Sequence, residues 1–347
     1  MMPIRTDSIR NLNPAYFAMV MATGIVSIAA FQHGYSMLGK GMLFLNIVIY
    51  AVLAGMTALR IVCFPRAVAE DMLDHNRCVG FFTMVAGTNV LGSQCMLILQ
   101  STLWAGSLWA IGFALWVLLN YGIFTVLTVK EEKPPLAQGI NGGWLVAVVA
   151  TQSVAVLGEQ VGQQVFPESE FVHFLSLSLW LSGGMLYVWV ISLIFYRYTF
   201  FKFQPSDLMP PYWINMGAMA ISTLAGTALI RNSVDSPLLL GLLPFLKGFT
   251  MFFWATATWW IPMLVILGIW RHIYKRYPLR YDPLYWGAVF PLGMYTACTA
   301  NLSDVLGMPI VSEIPTYFVY VAIGAWSITF FGFLYSQFLG PMKRKST

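Results

Sequence analysis

The sequence predicts an all-α integral membrane protein of ten transmembrane helices, and three observations carry that prediction. Hydrophobic side chains make up 58% of the 347 residues and charged ones only 10%, well under half the charged share of an ordinary soluble domain. The apolar residues fall into ten runs, each near the roughly 20 residues that cross a bilayer. The Lys and Arg residues collect on one side of the topology those runs imply, as the positive-inside bias of short loops requires.

The first run, 13–33, follows Arg5 and Arg10. With Ser27-Ile28-Ala29 downstream it resembles a signal peptide, but it shares its pattern with four later runs, and the charge count needs it as a span. The second and third, 38–63 and 78–99, are separated by a connection holding Arg66 and Arg77. The fourth, 102–129, stops at Lys130 and Lys133, and the fifth and sixth, 141–160 and 169–197, close at Arg197 and Lys202. The seventh, 210–231, ends on Arg231. The eighth, 243–271, carries Phe252-Phe253-Trp254 and Trp259-Trp260, bulk that suits an outer ring against lipid. In the ninth, 283–305, Phe290 precedes Pro291, a residue that removes a backbone donor and bends a helix. The tenth, 314–339, is followed by Lys343, Arg344 and Lys345.

Counted over these connections, sixteen cations lie on the side of the termini and three, Lys40, Arg231 and Lys247, on the other. Both termini are therefore expected in the cytoplasm. The thirteen Trp suit interfacial belts, and the one-sided cations explain the pI near 9.0 without nucleic-acid binding. No connection is long enough to hold a soluble domain, so 1–347 reads as a single transmembrane domain in the plasma membrane, the inner membrane in a Gram-negative cell. Cys63, Cys78, Cys95 and Cys298 have no paired spacing and read as small buried hydrophobes.

The odd spans align with one another. Phe17-Ala-Met-Val-Met-Ala-Thr23-Gly24 lies beside Phe82-Thr-Met-Val-Ala-Gly-Thr88-Asn89, and then beside the stretches beginning at Leu145, Trp213 and Trp286. The chain thus divides into five helical hairpins, 13–63, 78–129, 141–197, 210–271 and 283–339. Parallel repeats about an axis along the membrane normal present one face of each unit to that axis. Odd helices inside and even helices outside would leave a central pore lined by small, hydroxyl and amide residues. The candidates are Thr23, Gly24, Ser27, Ala86, Thr88, Asn89, Val149, Thr151, Gln152, Gly217 and Gly293. In the register of Phe290 the other units carry Met21, Ala86, Val149 and Gly217. One ring among four smaller side chains can close a narrow bore by excluding water.

The opening Asn13-Pro14-Ala-Tyr-Phe-Ala-Met-Val-Met-Ala-Thr-Gly24-Ile-Val-Ser27, the five hairpins and Phe290-Pro291-Leu292 resemble the tellurite-resistance/dicarboxylate transporter family. That family includes the yeast malate permease and the slow anion channels of plant guard cells. The resemblance spans all ten runs and implies a homotrimer in which each protomer has its own pore, with Phe290 and Pro291 as the gate. Here the inner helices other than the ninth carry Gly or Ala at the position of Pro291, so their bends must rest on glycine or be weaker. The long soluble termini of the plant channels have no counterpart, and regulation through such tails is not expected.

Anion transport needs sites that bind weakly enough to release. The hydroxyls and amides named above supply them, and Arg231 and Lys247 are candidates to concentrate anions at the outer mouth. Glu159, His173, Asp282 and Asp304 fall at span edges and read as interfacial, which favours channel-like conduction of a small inorganic or carboxylate anion. Proton-coupled uptake of a C4-dicarboxylate or of a tellurite-related oxyanion is the rival reading. No His-Glu-x-x-His pair, Gly-x-Ser-x-Gly elbow or phosphate-cradling loop occurs, so no catalytic residue, metal or cofactor is expected.

Overall fold

The computed structural model describes residues 6–165 and 169–338, which contain helices, turns and loops and no strand. Ten long helices account for most of them: α1 (Ala18–Gln32), α2 (Ser36–Cys63), α3 (Phe82–Leu99), α4 (Thr102–Val129), α5 (Val146–Val165), α6 (Glu170–Phe200), α7 (Ile214–Arg231), α8 (Leu243–Ile269), α9 (Trp286–Leu306) and α10 (Pro309–Phe338). Arg5, Lys343, Arg344 and Lys345, which enter the charge asymmetry, lie outside the described residues, as does the last residue of the expected tenth span.

Every odd helix is entered through a 3-10 turn: Pro14–Phe17, Cys78–Phe81, Gly142–Leu145, Pro210–Trp213 and Pro283–Tyr285. Three of these turns are held by a side-chain acceptor. Asn13 accepts from the Ala15 N–H, Asn141 from Gly143 and Asp282 from Leu284, satisfying donors a helix start leaves free. Pro14, Pro210 and Pro283 open their turns, where a missing N–H costs nothing. At the opposite end α1 and α9 turn sharply into α2 and α10. Gly34 and Gly307 adopt φ of +88° and +61°, the left-handed geometry that ends helices and that glycine enters without strain.

Two boundaries differ from the sequence expectation by about a turn. α5 runs on to Val165 because Gln160, Gln163 and Gln164 are polar yet helical, and hydropathy registers only the first property. α10 begins at Pro309 rather than 314, with Pro315 inside it. Nine described segments are long and apolar enough to cross a membrane, and α9 is not among them. Thr296, Thr299, Asn301, Ser303 and Asp304 make the second half of α9 polar.

The odd helices pack in a closed ring, α1 on α3, α3 on α5, α5 on α7, α7 on α9 and α9 back on α1. Each even helix packs on the odd helix before it and on the next one, with α10 returning to α1. Burial follows this placement: 83–94% of the most apolar window is buried in α1, α3, α5 and α7, against 17–44% in the even helices. Phe252 and Trp259 of α8 are exposed, whereas Phe253 and Trp260 turn inward. The connection from α2 to α3 is pinned by charge. Asp71 accepts from Arg60 at 2.7 Å and from Arg77, and Arg60 also donates to the Arg10 carbonyl at 2.9 Å.

Candidate functional site

The axis of the odd ring is hollow at both ends. At the N-terminal ends of the odd helices lies a cavity of about 480 Å³, hereafter the N-side cavity. At their C-terminal ends lies a second, of about 560 Å³, the C-side cavity. All five odd helices wall both. The deepest lining residues run from Ala18 to Ile25 on α1, Thr83 to Asn89 on α3, Val146 to Ser153 on α5, Ile214 to Ile221 on α7 and Gly287 to Met294 on α9. Each step is six or seven residues, close to two turns and about 10 Å of helix, and it separates the cavities by a similar thickness on every helix.

Three residues beyond each N-side wall position stand Met21, Ala86, Val149, Gly217 and Phe290. All five are buried, and none lines either cavity. Phe290 is the largest of them and is fully buried. The absence of a side chain at Gly217 lets α9 approach α7, since a Cβ there would lie 2.6 Å from Pro291 Cγ. Gly293 plays a similar part towards α1, where its Cβ would meet Ile25 Cγ2 at 2.9 Å.

Of the remaining residues set on the lumen by the sequence register, Asn89 lines the C-side cavity, and its side-chain carbonyl has no partner. The hydroxyls differ from expectation. Thr23 accepts from Trp326 Nε1 of α10 at 3.0 Å, and Thr151 from Trp116 Nε1 of α4 at 2.8 Å. Thr88 shares a hydrogen with the Tyr50 hydroxyl of α2 at 3.1 Å. The series continues with Trp180 of α6 donating to the Ser222 carbonyl at 2.8 Å and Trp254 of α8 donating to Thr299 at 3.1 Å. Every even helix thus bonds to the odd helix of the following pair. Ser27 donates to the Gly39 carbonyl on α2, and Gln152 to the Trp180 carbonyl on α6. Gly24 is packed against Val90 and the Asn46–Gln94 amide pair. These side chains hold odd helices to their neighbours. The three threonines stand two residues past the buried layer, and two residues along a helix turn the side chain by about 200°, away from the axis.

Charge is placed asymmetrically. Arg231 is exposed on the C-side wall and donates to Asn301 Oδ1 at 3.0 Å. Lys247 is exposed on α8 and takes no part in that wall, so only one of the two expected cations is in position. Glu159, expected at an interface, is instead buried in the same wall, with His173 Nδ1 at 3.0 Å and Asn232 Nδ2 at 2.8 Å from its Oε2. His173 is likewise buried, at 2% exposure. On the N-side, Arg197 is buried in the wall and donates to the Ile140 carbonyl and the Tyr212 hydroxyl, with Asp207 at 4.0 Å. None of these buried groups was marked by the sequence beyond its being an ionisable residue near the end of a span, a signal that surface residues share.

A family profile described as voltage-dependent anion channel matches residues 11–334. An uncharacterized transporter of Methanocaldococcus jannaschii is 25% identical over 332 residues, covering 94% of this chain and 93% of that protein. A sulfite efflux pump of Trichophyton rubrum is 21% identical over 348 residues, covering 93% and 90%. An uncharacterized membrane protein of Mycobacterium tuberculosis is 41% identical over 150 residues, 43% of this chain and 76% of that protein.

Proposed function

The chain belongs to the voltage-dependent anion channel family, and from that premise we propose that it passes small anions along the axis of its odd helices, with Phe290 as the gate. In this reading all ten long helices cross the plasma membrane as five hairpins around a central pore. Both termini are cytoplasmic, the N-side cavity opens to the cytoplasm, and the C-side cavity opens outward. Three such protomers, each with its own pore, assemble into a trimer.

The observation that carries the reading is the layer of Met21, Ala86, Val149, Gly217 and Phe290, two turns thick in its setting and wholly apolar, between two cavities whose walls mix polar with apolar side chains. An apolar constriction of this kind resists water and ions until its largest side chain moves. On the C-side wall Ser93 offers a hydroxyl donor without a trapping charge, while Asn89 and Ser153 donate to the Val85 and Ala150 carbonyls. Transport of sulfite by a relative makes a small oxyanion the first substrate to try. The channel-like mode is tested by chloride and sulfite flux into liposomes holding purified protein, with and without a proton gradient. Flux above protein-free vesicles that never runs against the anion's own concentration gradient is expected. Flux at the protein-free level from inserted protein, or anion accumulation against its own gradient driven by protons, would overturn this reading.

A further inference from the structure

Glu159 is the one carboxylate among the described residues walling the C-side cavity, and it is 1% exposed. A buried carboxylate needs a charged partner or a proton. Arg231 lies in the same wall but is bonded to Asn301, and no ion pair joins it to Glu159. Asn232 is neutral. The remaining charged groups near the pair are acidic. Glu170 on α6 accepts from Ser236 at 2.8 Å, and Asp235 follows α7 at the surface. α4 brings an uncharged Trp109 to this level. Among the described residues His173 is therefore the only group in contact with Glu159 that can offset its charge, and imidazole takes up and loses a proton near neutrality. Its Nδ1 faces Glu159, and its Nε2 is buried without a partner among the described residues, which leaves that nitrogen free to bind the proton.

We propose that Glu159, in the wall of the outward cavity, and His173 behind it form a proton-binding site, and that its occupancy decides how readily anions enter. The inference rests on the function proposed above. With the imidazole neutral, the pair presents a net negative charge to the cavity and repels anions. One proton on Nε2 makes the pair neutral, and Arg231 then sets the sign of the field. A unit charge in a low-dielectric cleft alters local ion concentration by roughly tenfold or more, so chloride flux should rise by about that factor as the pH falls through the imidazole range.

The test is chloride flux in liposomes at equal pH on both faces, from about pH 8 to about pH 5.5 across the histidine range, together with 15N-histidine NMR of the wild-type protein in detergent. The chain has four histidines, and His173→Gln identifies the His173 signal by its loss. Glu159→Gln should hold flux at the acid level at every pH and move the His173 titration to lower pH. A pH response of flux identical in Glu159→Gln and wild type, or a His173 signal that does not titrate between about pH 5 and 8, would overturn the proposal. Should no chloride flux occur at any pH, the function proposed above fails, and the His173 titration and its dependence on Glu159 still decide whether the proton site exists.

Discussion

The indole of Trp326 on α10 donates to the hydroxyl of Thr23 on α1 at 3.0 Å, joining residues 303 positions apart. It is the closing member of the set formed by Tyr50–Thr88, Trp116–Thr151, Trp180–Ser222 and Trp254–Thr299. Lipid tails are as apolar as leucine, so helices in a bilayer gain little from hiding apolar surface against one another, and packing and interhelical hydrogen bonds decide. An aromatic donor reaching from outside to a hydroxyl or carbonyl inside fixes the rotation of both helices at once. Thr151 shows the economy of the arrangement, donating to the Ala147 carbonyl while accepting from Trp116.

Thr23→Val should therefore weaken the fold and spare the passage. It leaves the Trp326 N–H without its acceptor, a loss of about 1 kcal/mol. Thermal unfolding in detergent should show a lowered Tm, while chloride flux per inserted protein stays within about twofold of wild type, a change of about 0.4 kcal/mol in barrier. A large flux change at unaltered Tm would return this hydroxyl to the lumen.

The gate assignment predicts the opposite pattern at Phe290. Phe290→Ala removes the largest side chain of the layer between the cavities and should raise anion flux on the order of tenfold, equivalent to about 1.4 kcal/mol off the barrier. Truncating a buried ring also costs packing, about 3–5 kcal/mol in soluble cores, so insertion and Tm are measured alongside. Properly inserted protein with wild-type flux would remove Phe290 from the gate.

Gly217 tests the approach of α7 to α9. A Cβ at this position meets Pro291 Cγ at 2.6 Å, and the proline ring cannot swing aside as a flexible chain end would. Gly217→Val is expected to cost about 1–3 kcal/mol by overpacking. Gly122→Ala on α4, where a Cβ meets nothing within 4 Å, should be neutral or stabilising by up to about 1 kcal/mol through helix propensity. Equal Tm in the two variants would contradict the close contact.

Long elements and their register were legible in the sequence because hydropathy and spacing determine them directly. The alignment that sets Phe290 beside Met21, Ala86, Val149 and Gly217 coincides with the layer left between the two cavities. Rotation about each helix was not legible. Thr23, Thr88 and Thr151 align as well as their neighbours two residues earlier, and an alignment carries no information on which of the two faces the axis. Glu159 and His173 were missed for a different reason. Each stands near the end of its own helix, where a charged residue is ordinarily solvated, and only the packing of α6 on α5 and of α7 on both brings them together out of solvent. Lys247 falls on the expected side by chain order, but α8 carries it away from the cavity.

That separation of Arg231 from Lys247 gives the sharpest electrostatic prediction. Arg231 lies on the C-side wall and Lys247 on the exposed face of an even helix, yet the two have the same formal charge and the same side of the topology. If the cavity concentrates anions, reversing Arg231 to Glu should lower chloride flux severalfold at low ionic strength, where the Debye length is about 30 Å, and much less at 1 M salt, where it is about 3 Å. Arg231→Gln separates charge from contact, since it can keep a hydrogen bond to Asn301 while removing the cation. It should lower flux by a smaller factor with the same salt dependence. Lys247→Glu should leave flux and its salt dependence unchanged, because its charge faces solvent or headgroups rather than the cavity. Parallel losses in the Arg231 and Lys247 variants would mean that overall surface charge, rather than the cavity wall, draws the anion in.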